Sequence, residues 1–159
     1  MNLIIYKKNF LINVTHFLAE KINKNRNILI TGGTTVRKIY SKLSEQVNFK
    51  NKEIITYLQD HFLIVQIDLW GSREVVSIDG ESLEERDWVT KNDIFFTPTT
   101  LIYTVGESER VEEIFRMPGY LKPFHYLSSL EYIVNKKYLE KTFQQYLQEK
   151  FNNLKAKGE

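Results

Sequence analysis

The chain of 159 residues contains no cysteine. That one absence excludes disulfides, thiolate metal sites, a nucleophilic thiol and thiol redox work together. An excess of one charge is also lacking. With 22 basic and 20 acidic residues the net charge is +2, which gives no electrostatic case for nucleic acid or a membrane surface as partner. Long hydrophobic runs are missing too: the longest, residues 62–67, falls far short of the ~18 residues a spanning helix needs. Proline (3) and glycine (7) are too scarce for a linker or low-complexity segment. The three histidines, His16, His61 and His125, lie far apart, with no i, i+4 partner and no H-E-x-x-H context. They read as surface or packing residues, so no metal and no cofactor is expected. At the N-terminus, Lys7 and Lys8 precede a stretch interrupted by Asn13, Thr15 and His16, and no small-residue cleavage site follows. This implies a cytoplasmic chain, or a periplasmic one if a leader had been removed.

What is present is an ordinary globular composition, 42% hydrophobic and 26% charged, in a length that suits one domain. Phe10, Val14, Phe17, Leu18 and Ile22 mark one face of a helix, giving an N-terminal helical extension over about residues 1–25. Residues 28–31 read as a short strand. Gly32-Gly33-Thr34-Thr35 reads as a turn before a helix whose stripe is Val36, Ile39, Tyr40 and Leu43. Asn51 caps a further short helix with Ile54, Ile55 and Leu58 inward. Residues 62–68 form the strongest strand signal, the continuous apolar run of a central strand buried on both faces.

Residues 70–81 read as a polar loop and 83–91 as a helix around Trp88. Residues 99–105 and 111–116 read as the strands of a hairpin. Helices are expected at 124–134 and 137–154, with a frayed tail after them. A strand–helix–strand half followed by a hairpin half implies a mixed sheet of about four to five strands with helices on both faces, in one domain spanning 1–159.

Three segments carry a family resemblance. Phe95-Phe96-Thr97-Pro98-Thr99 resembles the V-x-x-T-P-T segment of thioredoxins, where the proline is cis and lies beside the active site. Residues 62–71, F-L-I-V-Q-I-D-L-W-G, resemble the central strand of the sulfur-oxidation-associated thioredoxins (SoxW type). Residues 115–127, F-R-M-P-G-Y-L-K-P-F-H-Y-L, resemble the sheet-to-helix corner of the same group, and Thr142-Phe143-Gln144-Gln145-Tyr146-Leu147 resembles its last helix. The resemblance spans roughly residues 17–151. It implies a thioredoxin-like three-layer α/β sandwich with Pro98 cis.

The resemblance fails at the redox motif. Its C-x-x-C falls at Lys38-Ile39-Tyr40-Ser41 in the preferred register, or at Thr34-Thr35-Val36-Arg37 in the other. Disulfide exchange needs a thiolate attacker and a thiol leaving group; neither Lys38 nor Ser41 supplies one. The buried acid that thioredoxins carry in the preceding strand is missing from residues 28–31. The resemblance therefore implies a redox-inactive binding module tied to bacterial sulfur metabolism, not an oxidoreductase and without catalytic residues. Its groove would comprise Lys38, Ile39, Tyr40, Ser41, Phe96, Thr97 and Pro98, and would take a protein or peptide. A monomer or weak homodimer is expected.

Two other readings stay open. Gly32–Thr35, between a strand and a helix, has the form of an anion cradle, and a phosphometabolite enzyme would use it so. Alternatively, the cysteines were removed by engineering and the parent is a thiol–disulfide oxidoreductase, against which stands the lysine at the first motif position. The charged stretch containing Asp68, Trp70, Arg73, Glu74, Asp79, Glu81, Glu84 and Glu85 reads as a solvated loop and helix start rather than an acid–base pair. Trp70 and Trp88 read as core or loop anchors. Tyr120, Tyr126, Tyr132, Tyr138 and Tyr146 suit amphipathic helices, with a dimer surface as the other reading.

Overall fold

A computed structural model of the chain describes residues 27–33, 47–105 and 111–158. The expected N-terminal helix, the helix after Gly33 and the hairpin turn at 106–109 lie outside these residues.

The described sheet has four strands: β1 (Asn27–Gly33), β2 (Phe62–Asp68), β5 (Thr99–Val105) and β6 (Val111–Pro118), in the order β2-β1-β5-β6. β1 and β2 are parallel, from Asn27 opposite Phe62 to Gly33 opposite Asp68. β5 runs antiparallel to both β1 and β6. The mixed sheet is thus as expected, and among the described residues β2 is its terminal strand. The burial on both faces that its apolar run implies is present. Leu63, Val65 and Ile67 pack into the core on one face, and Phe62 and Ile64 into the core on the other.

On that second face lie α1 (Lys52–His61) and α3 (Pro123–Val134). The Asn51 side chain caps α1 by accepting from the backbone N–H of Glu53 (3.0 Å) and Ile54 (3.3 Å). Ile54 and Leu58 are fully buried, as the stripe required. α3 begins at Pro123, where the missing N–H costs nothing because a first-turn N–H has no intrahelical acceptor. α4 (Phe143–Lys157) packs across α3. It starts later than the expected 137. Residues 137–139 form a single 3-10 turn, Lys136 is left-handed (φ 52°), and Thr142 caps the new helix reciprocally with Gln145. α4 also runs through to Lys157, where the expected fraying is replaced by a left-handed Gly158 cap.

The first face is covered by a hairpin that begins in the stretch read as loop and by the helix expected around Trp88. β3 (Glu74–Val76) pairs with β4 (Ser82–Glu84) in a short antiparallel hairpin, and α2 (Glu85–Lys91) follows directly. Val75, Trp88 and Val89 are buried there against Leu101 and Tyr103 of β5. Helices and hairpin on opposite faces of one sheet give the three-layer sandwich.

Candidate functional site

One row of residues runs across the sheet: Ile67 opposite Gly32, Gly32 opposite Thr99, Thr99 opposite Pro118. The C-terminal ends of β1, β2 and β6 and the N-terminal end of β5 are therefore level. Gly32 and Gly33 belong to the ladder, so the expected turn at 32–35 is corrected: two of its four residues are strand. Thr34 and Thr35 lie outside the described residues. So do Lys38, Ile39, Tyr40 and Ser41, and their placement in the groove stays an expectation. The register does fix where that segment starts, since the chain leaves Gly33 one residue beyond the row that contains Thr99.

The Thr97–Pro98 bond is cis. The Pro98 carbonyl accepts from the Gly119 N–H at 2.7 Å, and Gly119 has the left-handed φ of +84° that glycine tolerates best. The Thr99 hydroxyl donates to the Phe96 carbonyl at 2.5 Å. These two bonds pin the loop from both sides, with Pro98 and Thr99 buried. Thr97 between them is unlike its neighbours. Its hydroxyl is buried with no hydrogen-bond partner, and among the described residues neither its N–H nor its C=O is hydrogen-bonded. Phe95 and Phe96 beside it are 75% and 66% exposed.

The sequence missed three participants at this end. Trp70 is no core anchor: it is 76% exposed, at the tip of the turn that ends β2. Asp68 and Gly71 bracket that turn, and the Gly71 N–H donates to the Asp68 carbonyl at 3.1 Å; the D-x-x-G spacing was its sequence signal. Phe95 stands outside any periodic stripe, which is the signal of an aromatic not destined for the core. Glu85, expected to be solvated, is 4% exposed. It accepts the Asp68 N–H at 3.2 Å and pairs with the Arg73 guanidinium. That guanidinium also donates to the Gln66 carbonyl at 3.1 Å. Trp88 is buried as expected.

Beneath the loop, burial pushes the Tyr126 phenol above its ordinary value, partly opposed by the Thr100 hydroxyl beside it. Tyr126 and Tyr132 are buried, while Tyr120, Tyr138 and Tyr146 are half-buried. His61 lies at a tilt against Tyr57 with ring centroids 4.5 Å apart, and His125 lies edge-on to Phe124 at 5.4 Å. Among the described residues no group of three or more His, Asp or Glu is gathered as a metal would need. No helix among them is long and apolar enough to cross a membrane. The arrangement offers unpaired backbone groups and exposed aromatic rings, which is the equipment for holding an extended chain.

Comparison with known proteins bears on the fold. A thioredoxin-fold protein from Helicobacter pylori superposes with a TM-score of 0.69 at 19% identity, covering 80% of this chain and 86% of that one. A thioredoxin from Thermus thermophilus gives 0.59 at 14% identity, covering 79% and 85%. A DsbH oxidoreductase gives 0.54 at 10% identity, covering 82% and 88%. At such identities these likenesses establish architecture and nothing of activity. No curated protein matches the chain. The sequence profile of the thioredoxin-like domain matches residues 18–133, well over half of the length. The four-stranded sheet, the cis proline at its end and that match together make the chain a member of the thioredoxin-like domain family, one without a cysteine.

Proposed function

We propose that this protein is a redox-inactive thioredoxin-like module that binds an extended segment of a partner protein. The observation that carries the reading is Thr97. Among the described residues its N–H and C=O have no hydrogen-bond partner, and it sits at the sheet end beside the exposed Phe95 and Phe96. An extended chain laid along it gains main-chain hydrogen bonds from Thr97 and side-chain contacts from the phenylalanines. Lys38–Ser41 completes the groove in this reading, since the chain leaves β1 beside the loop. The SoxW-type resemblance of residues 62–71 and 115–127 supports a partner in bacterial sulfur metabolism.

Capture from a lysate of the native host tests both parts. Proteins recovered by the wild-type chain are expected to be lost with a Phe95→Ala/Phe96→Ala double variant and with Thr97→Pro, which removes the N–H. Circular dichroism shows whether each variant remains folded. Equal recovery by folded variants removes the groove; a recovered partner with no place in sulfur chemistry removes the pathway link and leaves the groove.

A further inference from the structure

The exposure of Trp70 stands against its surroundings. An exposed side chain on a loose loop is unremarkable, but the backbone under Trp70 is held from every side. Its N–H donates to the Asp68 carboxylate at 3.1 Å, and the Gly71 N–H closes the turn onto the Asp68 carbonyl at 3.1 Å. The Gly71 carbonyl accepts from the Arg86 N–H at 3.1 Å, and the Arg73 carbonyl from the Glu85 N–H at 2.9 Å. Below the turn lies the buried Glu85 carboxylate, so close that a Cβ at Gly71 would meet its Oε2 at 2.0 Å. A Cβ at position 71 would therefore push the carboxylate away from its present position against the Asp68 N–H. The sequence thus spends a buried acid, its arginine and a glycine on fixing a turn whose tip is a solvent-exposed indole. A large aromatic ring on a pre-ordered backbone binds with little entropy left to lose, and tryptophan is the side chain most enriched at binding hot spots.

We infer that Trp70 is a second recognition residue of the site proposed above, reading an apolar side chain of the bound segment. This inference rests on the peptide-binding reading. The spacing follows from the sheet. Trp70 caps β2 and Thr97 leads into β5, and those strands are separated only by β1. Two inter-strand steps make roughly 10 Å, which an extended chain covers in about three residues. The site therefore selects an extended peptide with one residue paired to Thr97 and a large apolar residue about three positions away.

The test uses the full chain and a phage-displayed library of random linear dodecapeptides. Enriched peptides are expected to carry two large apolar residues about three positions apart. Their affinity is expected to fall by about tenfold with Trp70→Ala and to be largely kept with Trp70→Phe. Trp70 is a surface residue, so both variants fold. Because Trp88 is buried, a blue shift of tryptophan emission on binding reports Trp70, and it is expected to vanish in Trp70→Phe. Peptides whose binding needs Phe95 and Phe96 but survives Trp70→Ala within twofold, with no second apolar position, overturn this inference and leave the peptide site standing. A library yielding no peptide above a blank surface overturns the peptide site and this inference with it.

Discussion

The two faces of the sheet are covered by different kinds of structure. On one, α1 and α3 bury Ile54, Leu58, Leu130 and Ile133 against Phe62 and Ile102, and aromatic rings fill the seam with α4. On the other, strands of three residues and a helix of seven cover Val65, Ile67 and Leu101. A hairpin that short and a two-turn helix have almost no stability of their own. They are kept in place partly by Trp88 and Val75, and partly by polar clasps: Glu85 with Arg73 and the Asp68 N–H, and Lys91 with Asp79 and Glu81. The face under α1 and α3 is secured by area. The face under the hairpin depends on a few specific contacts, and it is that face which carries the turn of Trp70.

Breaking the apolar face should cost most. Leu130→Ala removes a side chain with no exposure at all, and about 3 kcal/mol of stability should go with it. Urea unfolding would show one cooperative transition at a lower midpoint. Glu85→Ala strikes the other face. Breaking a fully buried ion pair costs roughly 3–5 kcal/mol. The Arg73 side chain is 38% exposed and regains water when freed, so about 2 kcal/mol is expected here. The distinguishing measurement is amide exchange: in this variant the amides of α2 and the β3–β4 hairpin should lose protection while those of α1 and α3 keep it. Uniform loss across both faces would erase the contrast. Gly71→Ala sharpens it further. Its new methyl group collides with the Glu85 carboxylate, at a cost of about 1–3 kcal/mol alone and clearly less in the Glu85→Ala background, a non-additivity that a double-mutant cycle reads directly.

The same contrast explains what could be read from the sequence. α1 was legible because its cap and its stripe, Asn51 with Ile54 and Leu58, are local signals. The β5–β6 hairpin was legible because both strands are long enough to show a β-rich pattern. The hairpin of β3 and β4 was not, because a strand of three residues contains too few alternations to register a period. Glu85 lies in a run with Glu84 and Asp87, and nothing local says which carboxylate turns inward; Arg73 and the Asp68 N–H decide that from elsewhere in the chain. That β2 is terminal among the described residues was illegible for a related reason, since an apolar run reports covered faces and not covered edges. The capping box of Thr142 and Gln145 was written in the sequence, but the apolar stripe masked it. Of the site, the Thr97–Pro98 loop came through the family resemblance, while Trp70 needed the fold to show that a ring beside a strand end faces water.

The smallest expected effects refine the helical face. Thr142→Ala removes the hydroxyl that accepts the Gln145 N–H, one half of the capping box, and should cost about 1 kcal/mol, seen as a modest fall in the thermal midpoint. Tyr57→Phe should change almost nothing near neutral pH and should alter the alkaline limb. Burial raises the Tyr57 phenol from 10.0 to about 12, with the Glu131 carboxylate and Tyr146 adding to the rise. Below about pH 10 the phenol keeps its proton in both folded and unfolded chains, so it contributes no slope. Between about pH 10 and about pH 12 the unfolded chain releases the proton while the folded chain holds it, and stability falls as pH rises. Burial also raises Tyr126 on the same face and Tyr103 on the other, so the loss is shared. Urea midpoints followed through this window should therefore fall less steeply for Tyr57→Phe than for wild type, without becoming flat. A slope identical to wild type would mean that the Tyr57 hydroxyl reaches water, and that the seam between α1, α3 and α4 is more open than the other contacts of this face require.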